Sequence, residues 1–205
     1  MPRPTTAAPA SASASGTADR SRPLRADAAR NRQRILEAAE ETFAREGLAV
    51  PIDVVAERAG VGVGTLYRHF PTKEALFEAI VLTRIDGLVS ACEMEDDADP
   101  TQGLFDFLAM MAGQVSLKHD LFDALAQAGI DFTVRYGTEV QRLEQGIERL
   151  RRRAVESGGL RDDVSTDQIV GLVIGACRGA ERPGMDPGSC RRMLDVVLDG
   201  LRARH

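Results

Sequence analysis

Ala59-Gly60-Val61-Gly62-Val63-Gly64-Thr65-Leu66-Tyr67-Arg68-His69-Phe70-Pro71-Thr72-Lys73-Glu74-Ala75-Leu76 is the stretch that decides how this chain is read. Gly60 gives a left-handed backbone option at the end of one helix, and Val61 plugs the space between two crossing helices. Leu66 and Phe70 lie four residues apart. They anchor a short helix, Gly64 to Phe70, in a core, and Pro71 stops it. Thr65, Tyr67, Arg68 and His69 then project, in part, toward solvent or a partner. A hydroxyl, a phenol, a guanidinium and an imidazole are good donors to phosphates and base edges.

Working outward, a helical period begins at Ala28, with Ile35, Leu36, Ala39 and Phe43 on one face and Gly47 ending the helix. Pro51 suits the first turn of the next, where Val54, Val55 and Ala59 face inward. Thr72 caps a long helix from Lys73 to about Cys92, with Leu76, Phe77, Ile80, Ile85 and Leu88 on its apolar side. At its usual rise that helix extends roughly 30 Å, enough to join two lobes. Asp99-Pro100-Thr101-Gln102 reads as an N-cap, a proline at the first helical position and a reciprocal glutamine. Apolar helical pattern continues through Phe105–Leu117, Leu121–Ala128 and Asp131–Glu156. Ser165 with Gln168 forms a capping box for a helix to about Glu181, and Asp186-Pro187 starts the last one.

No stretch alternates as a strand does, so the expected fold is all-α. An N-terminal three-helix helix-turn-helix domain (25–72) is joined by the long helix to a helical ligand-binding and dimerisation domain (73–205). Residues 1–24 are Pro, Ala, Ser and Thr with scarcely an apolar side chain, and are expected to be a disordered tail. The acidic stretch 93–99 reads as a solvated linker.

With 43% hydrophobic and 28% charged residues the composition is that of a globular protein. The longest apolar stretch, Ile169 to Cys177, is too short to span a bilayer. Cys92, Cys177 and Cys190 are odd in number and far apart in sequence. They give no disulfide framework, read as buried free thiols, and fit a cytoplasmic protein. No metal spacing, nucleophile elbow or phosphate loop appears, and Gly60-Val61-Gly62-Val63-Gly64-Thr65 fails the dinucleotide-loop spacing. An enzyme is not expected, nor a cofactor or metal. The formal net charge is −5, yet Arg20, Arg22, Arg25, Arg30, Arg32 and Arg34 crowd one short stretch while acids gather elsewhere. Screening makes the local sign the relevant one for a phosphate contact.

The segment Gly64-Thr65-Leu66-Tyr67-Arg68-His69-Phe70, followed by Lys73-Glu74, resembles the signature of the TetR family of bacterial regulators, from about Arg30 to Ile80. The resemblance implies that Thr65, Tyr67 and Lys73 grip phosphates, that Val63, Gly64 and Arg68 face bases, and that His69 lies close to the backbone or groove wall. Arg30 and Arg32 would touch neighbouring phosphates. Two positions depart from the family: Gly62, where Ser or Thr is frequent, and Val50-Pro51, where a Thr pair is. The implied function is a homodimer that binds a palindromic double-stranded DNA operator, most often as a repressor, and is released by a small-molecule effector. The effector, the operator sequence, the regulated genes and the choice between repression and activation are not written in the residues.

Gly171, Gly175 and Gly179 make one smooth stripe on a helix, and the last helix offers more apolar surface than one buried face needs. Together with Val197 and Leu201 they suggest a four-helix dimer interface, the usual arrangement in proteins resembling TetR. Packing within the chain against 131–156 is the alternative. Phe105, Met110, Gln114, Phe122, Phe132, Tyr136 and Arg178 are open to two readings. The apolar ones are ordinary core, or the group lines an apolar pocket with a few polar groups.

Overall fold

The computed structural model describes residues 18–94, 99–186 and 188–203, with the side chains at 18–25, 94, 115–119, 132 and 133 outside the description. Among the described residues there are ten α-helices, and the extended pairing is an isolated bridge between Leu160 and Arg202. The all-α expectation holds.

Helix α1 (Ala18–Glu46) begins ten residues before Ala28, and its backbone includes residues 18–24 of the expected tail. Once the turns from Ile35 onward are packed, alanine and arginine extend a helix upstream without needing an apolar face. Residues 1–17 of that tail, and 95–98 of the expected acidic linker, lie outside the described residues. Gly47, at φ +81°, ends α1. Helices α2 (Ile52–Arg58) and α3 (Val63–His69) then cross beneath it. Helix α4 (Lys73–Met94) follows, its first turn capped by the Thr72 hydroxyl, which accepts from the Ala75 N–H at 3.1 Å.

The body is built from α5 (Pro100–Ala112), α6 (Val115–Gln127), α7 (Phe132–Arg135), α8 (Gly137–Glu156), α9 (Thr166–Ala180) and α10 (Ser189–Leu201). The Asp99 carboxylate caps α5 as expected, accepting from the N–H groups of Thr101 and Gln102. Gln102 does not reach back to it. Its amide donates instead to Asp106 at 2.8 Å, one turn ahead. Helix α5 ends at Ala112 in a Gly113-Gln114 turn, short of Leu117, and the expected Asp131–Glu156 helix is broken at Tyr136. There the Tyr136 hydroxyl donates to Glu78 of α4 at 2.7 Å and Arg135 donates to the same carboxylate at 2.9 Å. The capping box of α9 is present, with Ser165 and Gln168 bonded reciprocally.

One continuous apolar core runs through the molecule. Phe43 of α1 meets Phe77 of α4 edge to face, centroids 5.3 Å apart, and Leu66 and Phe70 close the head beneath them. Farther along α4, Ile85, Leu88 and Val89 are buried with Leu104, Leu108 and Leu150 of the body.

Glu148 of α8 joins two elements, accepting from the Arg151 guanidinium at 2.8 and 3.0 Å and from the Thr166 hydroxyl at the start of α9. The hydrogen bond from Arg151, then that from Thr166, lower its pKa from 4.5 to about 2. A carboxylate held low in the folded state stabilises fully above its ordinary pKa and loses that contribution as pH falls through the folded value. With the side chain 47% exposed, screening limits the contribution to about 1 kcal/mol or less. Glu148→Gln should therefore be slightly less stable than the parent at neutral pH and should decline less steeply between about pH 4.5 and 2. Denaturant titrations across that range check it, and parallel pH curves would refute the assignment.

Candidate functional site

Helix α2 closes on Gly60, whose φ of +62° belongs to the left-handed region that glycine adopts without strain. The Val61 N–H donates back to the Ala56 carbonyl at 3.0 Å and directs the chain into α3. Leu66 is fully buried and Phe70 nearly so, which turns the rest of the short helix outward. Tyr67 is 45% exposed and Val63 42%, with Gly64 and Arg68 also exposed and Thr65 and His69 half-buried. A side chain at Gly64 would meet nothing within 4 Å. The outward face of α3 is thus a shallow protrusion with one guanidinium, one phenol and one hydroxyl.

The basic end of α1 lies beside it. The Arg32 guanidinium sits over the Phe70 ring, 5.4 Å from its centroid, and Arg34 donates to the Gly60 carbonyl at 3.4 Å. Arg30 is exposed and paired with Asp27 one turn earlier. Arg34 was not among the candidate contacts, because which of six arginines reaches the turn depends on how α1 crosses it. Lys73 is placed differently from expectation. Its ammonium donates inward to the Val50 carbonyl at 2.8 Å, between the rings of Phe43 and Phe77, and burial lowers its pKa. The reason is local. Pro51 heads α2 without a side-chain cap, and Lys73 supplies a donor to the carbonyl just before it.

A cavity of about 440 Å³ lies in the body, walled by Leu88 of α4, Met111 of α5, Phe122 of α6, Leu143 of α8 and Ile174 of α9. Gln114 also faces it, and its side-chain oxygen is buried without a hydrogen-bond partner. Of the candidate pocket residues, Gln114 and Phe122 are brought together here. Phe105 is buried elsewhere under the Arg202 guanidinium, 4.9 Å from the ring, and Met110 is 40% exposed. Tyr136 is bound to Glu78, Arg178 lies on the surface, and the Phe132 side chain is outside the described residues.

An open groove of about 1000 Å³ runs along α9 and α10, with Gly171, Leu172, Gly175 and Val196 at its surface. Leu172 is 48% exposed and Val196 73%, while Val197 is half-buried. The two other residues expected at a dimer face serve this chain instead. A Cβ on Gly179 would meet the Met193 methyl at 2.9 Å, and Leu201 is 2% exposed in the core, its carbonyl accepting from the Arg161 N–H.

Residues 35–80 match the bacterial regulatory proteins of the tetR family, and residues 99–203 match the C-terminal domain of SbtR-like transcriptional regulators. The solved structure of a TetR transcription regulatory protein from Mycobacterium vanbaalenii is 38% identical, with a TM-score of 0.70 over 88% of this chain and 100% of that one. This chain belongs to the TetR family. A second TetR regulator of known structure, from Streptomyces coelicolor, is 31% identical, with a TM-score of 0.68 over 85% of this chain and 99% of its own. An HTH-type transcriptional regulator of Staphylococcus aureus strain USA300 is 41% identical over 64 residues, 31% of this chain and 35% of that protein. The chain spans about a third of the length of the curated relatives it matches. As a TetR-family protein it is a DNA-binding transcriptional regulator and not an enzyme. Among the described residues no helix is long and apolar enough to cross a membrane.

The turn of a TetR-family head is sensitive to one glycine here. Gly60→Ala would force a Cβ into the left-handed region and toward the Arg34 guanidinium, 2.6 Å away. The flexible arginine can move, so the backbone sets the cost at about 1–2 kcal/mol. Gly64→Ala, in open space on α3, should leave stability unchanged or slightly raised. Thermal melts of both variants check the pair, and equal midpoints would show that Gly60 is not needed for the turn.

Proposed function

We propose that two copies of this TetR-family chain join through α9 and α10, bind a palindromic operator as a repressor in the cytoplasm, and release it when a small molecule enters the body cavity. The observation that carries the DNA half is the placement of α3, pinned by Leu66 and Phe70 with Tyr67 and Val63 outward. Val63, Gly64 and Arg68 face bases in this reading, with His69 near the groove wall. Thr65, Tyr67, Arg30 and Arg32 take phosphates. Lys73 joins them only after giving up its bond to Val50. Because Gly64 has no side chain, most of the base discrimination falls to Arg68, whose guanidinium suits a bidentate contact with guanine.

One such helix makes few contacts, and a two-fold pair reads half-sites about 34–36 Å apart. The groove at Gly171, Leu172, Gly175 and Val196 supports pairing. It is apolar and exposed, and it lies on the two terminal helices. Release follows if an occupied cavity favours a head spacing that no longer fits the operator. Leu88 links the two, since it lines the cavity and sits on the helix that leads into the head.

Gel-shift assays with the DNA upstream of the protein's own gene test the first half. Affinity should fall steeply with salt as phosphate contacts release counterions. Arg68→Ala should lose about 1–3 kcal/mol at one base position of each half-site. An unchanged base profile would remove Arg68 as a reader, and a monomer by sedimentation equilibrium at micromolar concentration would remove the dimer.

The ligand half rests on Gln114. A buried, unpartnered carbonyl oxygen in an apolar wall suits a ligand that donates one hydrogen bond. For a compound found to lift operator binding, Gln114→Leu should weaken its effect by about 2–10-fold and leave operator affinity without it unchanged. Undiminished induction would place the ligand elsewhere.

A further inference from the structure

Cys177 and Cys190 are distant in sequence but adjacent in space. Cys177 lies on α9 and Cys190 on α10, with their sulfurs 3.3 Å apart. The Cys190 thiol donates to the Cys177 sulfur, and the Cys177 thiol donates in turn to the Ala112 carbonyl at 3.7 Å. Cys177 is buried at 2% exposure, whereas Cys190 is half-buried at the start of its helix. The third thiol, Cys92, packs against Gly146 of α8 on a different helix pair. A disulfide needs its sulfurs about 2.05 Å apart, little more than an ångström closer than they stand here.

We propose that Cys177 and Cys190 form a reversible oxidation site, at which a hydroperoxide converts the two thiols to an intramolecular disulfide that clamps α9 to α10. The Cys190 thiolate attacks the peroxide, the O–O bond breaks, and the departing oxygen leaves as water or an alcohol after taking a proton. Cys190 is then a sulfenic acid. The Cys177 sulfur attacks the Cys190 sulfur, the S–O bond breaks, and the leaving hydroxide takes the Cys177 proton and departs as water. Two thiols supply two electrons and one peroxide accepts them. A dithiol or glutathione reverses the bond by exchange.

The surroundings set the order of the steps. Burial pushes the Cys177 thiol up to about 12, so it stays protonated until its neighbour has reacted. The more accessible Cys190 meets the oxidant first. Bond formation draws the Cys177 sulfur away from Ala112, which lies between Met111 and the turn carrying Gln114 on the cavity wall. The clamp joins the two helices that line the groove, and its Cys177 touches the segment that leads to the cavity wall.

The test uses the full chain treated with hydrogen peroxide, with thiols counted in denaturant and disulfides mapped by peptide mass. The wild type and Cys92→Ser should each lose two thiols, give a Cys177–Cys190 crosslinked peptide, and recover both thiols with dithiothreitol. The oxidised protein should melt roughly 5–10 °C higher, since the bond restrains the unfolded chain. Cys190→Ser should keep its Cys177 thiol under the same treatment. Cys177→Ser should stop at a Cys190 sulfenic acid that a 1,3-diketone traps. The proposal is overturned by any of three results: no loss of thiols in the wild type, Cys190 passing on to sulfinic or sulfonic acid with Cys177 intact, or a crosslink between subunits in its place.

Discussion

Helix α4 is packed on nearly every side, and both halves of the molecule close on it. Leu76, Phe77, Ile80, Val81, Ile85, Leu88, Val89 and Cys92 are all buried, too many to share one stripe of a helix. A helix with so wide an apolar face belongs in the middle of a structure rather than at its surface, and α4 leaves Asp86, Gly87, Ser90 and Glu93 exposed on its remaining side. Its first turns complete the core of the DNA-binding head, and its later turns carry one wall of the body cavity. Polar ties fix its angle at two points, in its second turn and at its middle. Arg84 reaches Glu40 of α1 at 3.3 Å, and the buried Glu78 holds Arg135 and Tyr136 where α7 gives way to α8. Neither half can shift far without disturbing contacts of the other, which makes α4 the mechanical link in any regulated change.

The electrostatics of the head follow the same logic of local placement. A net charge of −5 is no obstacle to binding DNA when Arg32 lies against Phe70 and Arg34 against Gly60, at the two ends of α3, and screening makes nearby charges count most. Not every cation near the site is free for phosphate. Lys73 stabilises the entry to α2 through the Val50 carbonyl, and Arg58 ties α2 to α1 through Thr42 and Glu46. The head therefore divides its positive charge between holding its own turns and facing outward. Arg32 does both, with its guanidinium stacked near Phe70 yet exposed.

What could be read from the sequence was governed by nearby residues. Gly60 at a positive φ, Leu66 and Phe70 one turn apart, the Asp99 cap and the Ser165 capping box are all decided within four positions. The features that escaped depend on partners far along the chain. The break at Tyr136 answers to Glu78, 58 residues away, and the inward turn of Lys73 answers to Val50, 23 residues away. Periodicity marked Phe105 and Phe122 alike as apolar, but only packing decides that one fills core and the other borders a void. In the same way the glycine stripe on α9 was visible, yet Gly179 accommodates Met193 of its own chain while Gly171 and Gly175 face the groove. Cys177 and Cys190 looked unrelated because thirteen residues and a helix reversal separate them.

The cavity also bounds the energetics of the proposed ligand-driven release from DNA. Moving a two-state protein from one arrangement to the other almost completely takes about 5.5 kcal/mol of differential binding. A single hydrogen bond to Gln114 contributes about 0.5–1.5 kcal/mol. If the remainder came from apolar surface alone, at about 25 cal/mol per Å² it would mean burying roughly 200 Å² more in one state than in the other, with Glu144, Thr166 and Asp167 of the lining able to supply part of it instead. A cavity of about 440 Å³ is large enough for a ligand with that much surface. It must still differ in shape between the states, because a pocket that is identical in both shifts nothing however tightly it binds. Leu88 on α4 and Ile174 on α9 wall the cavity, and the helices that carry them reach the head and the α9–α10 groove, so these are the walls through which such a difference would act. In the proposed reading, the same two helices that define the cavity would convert a ligand's burial into a change of spacing at the DNA.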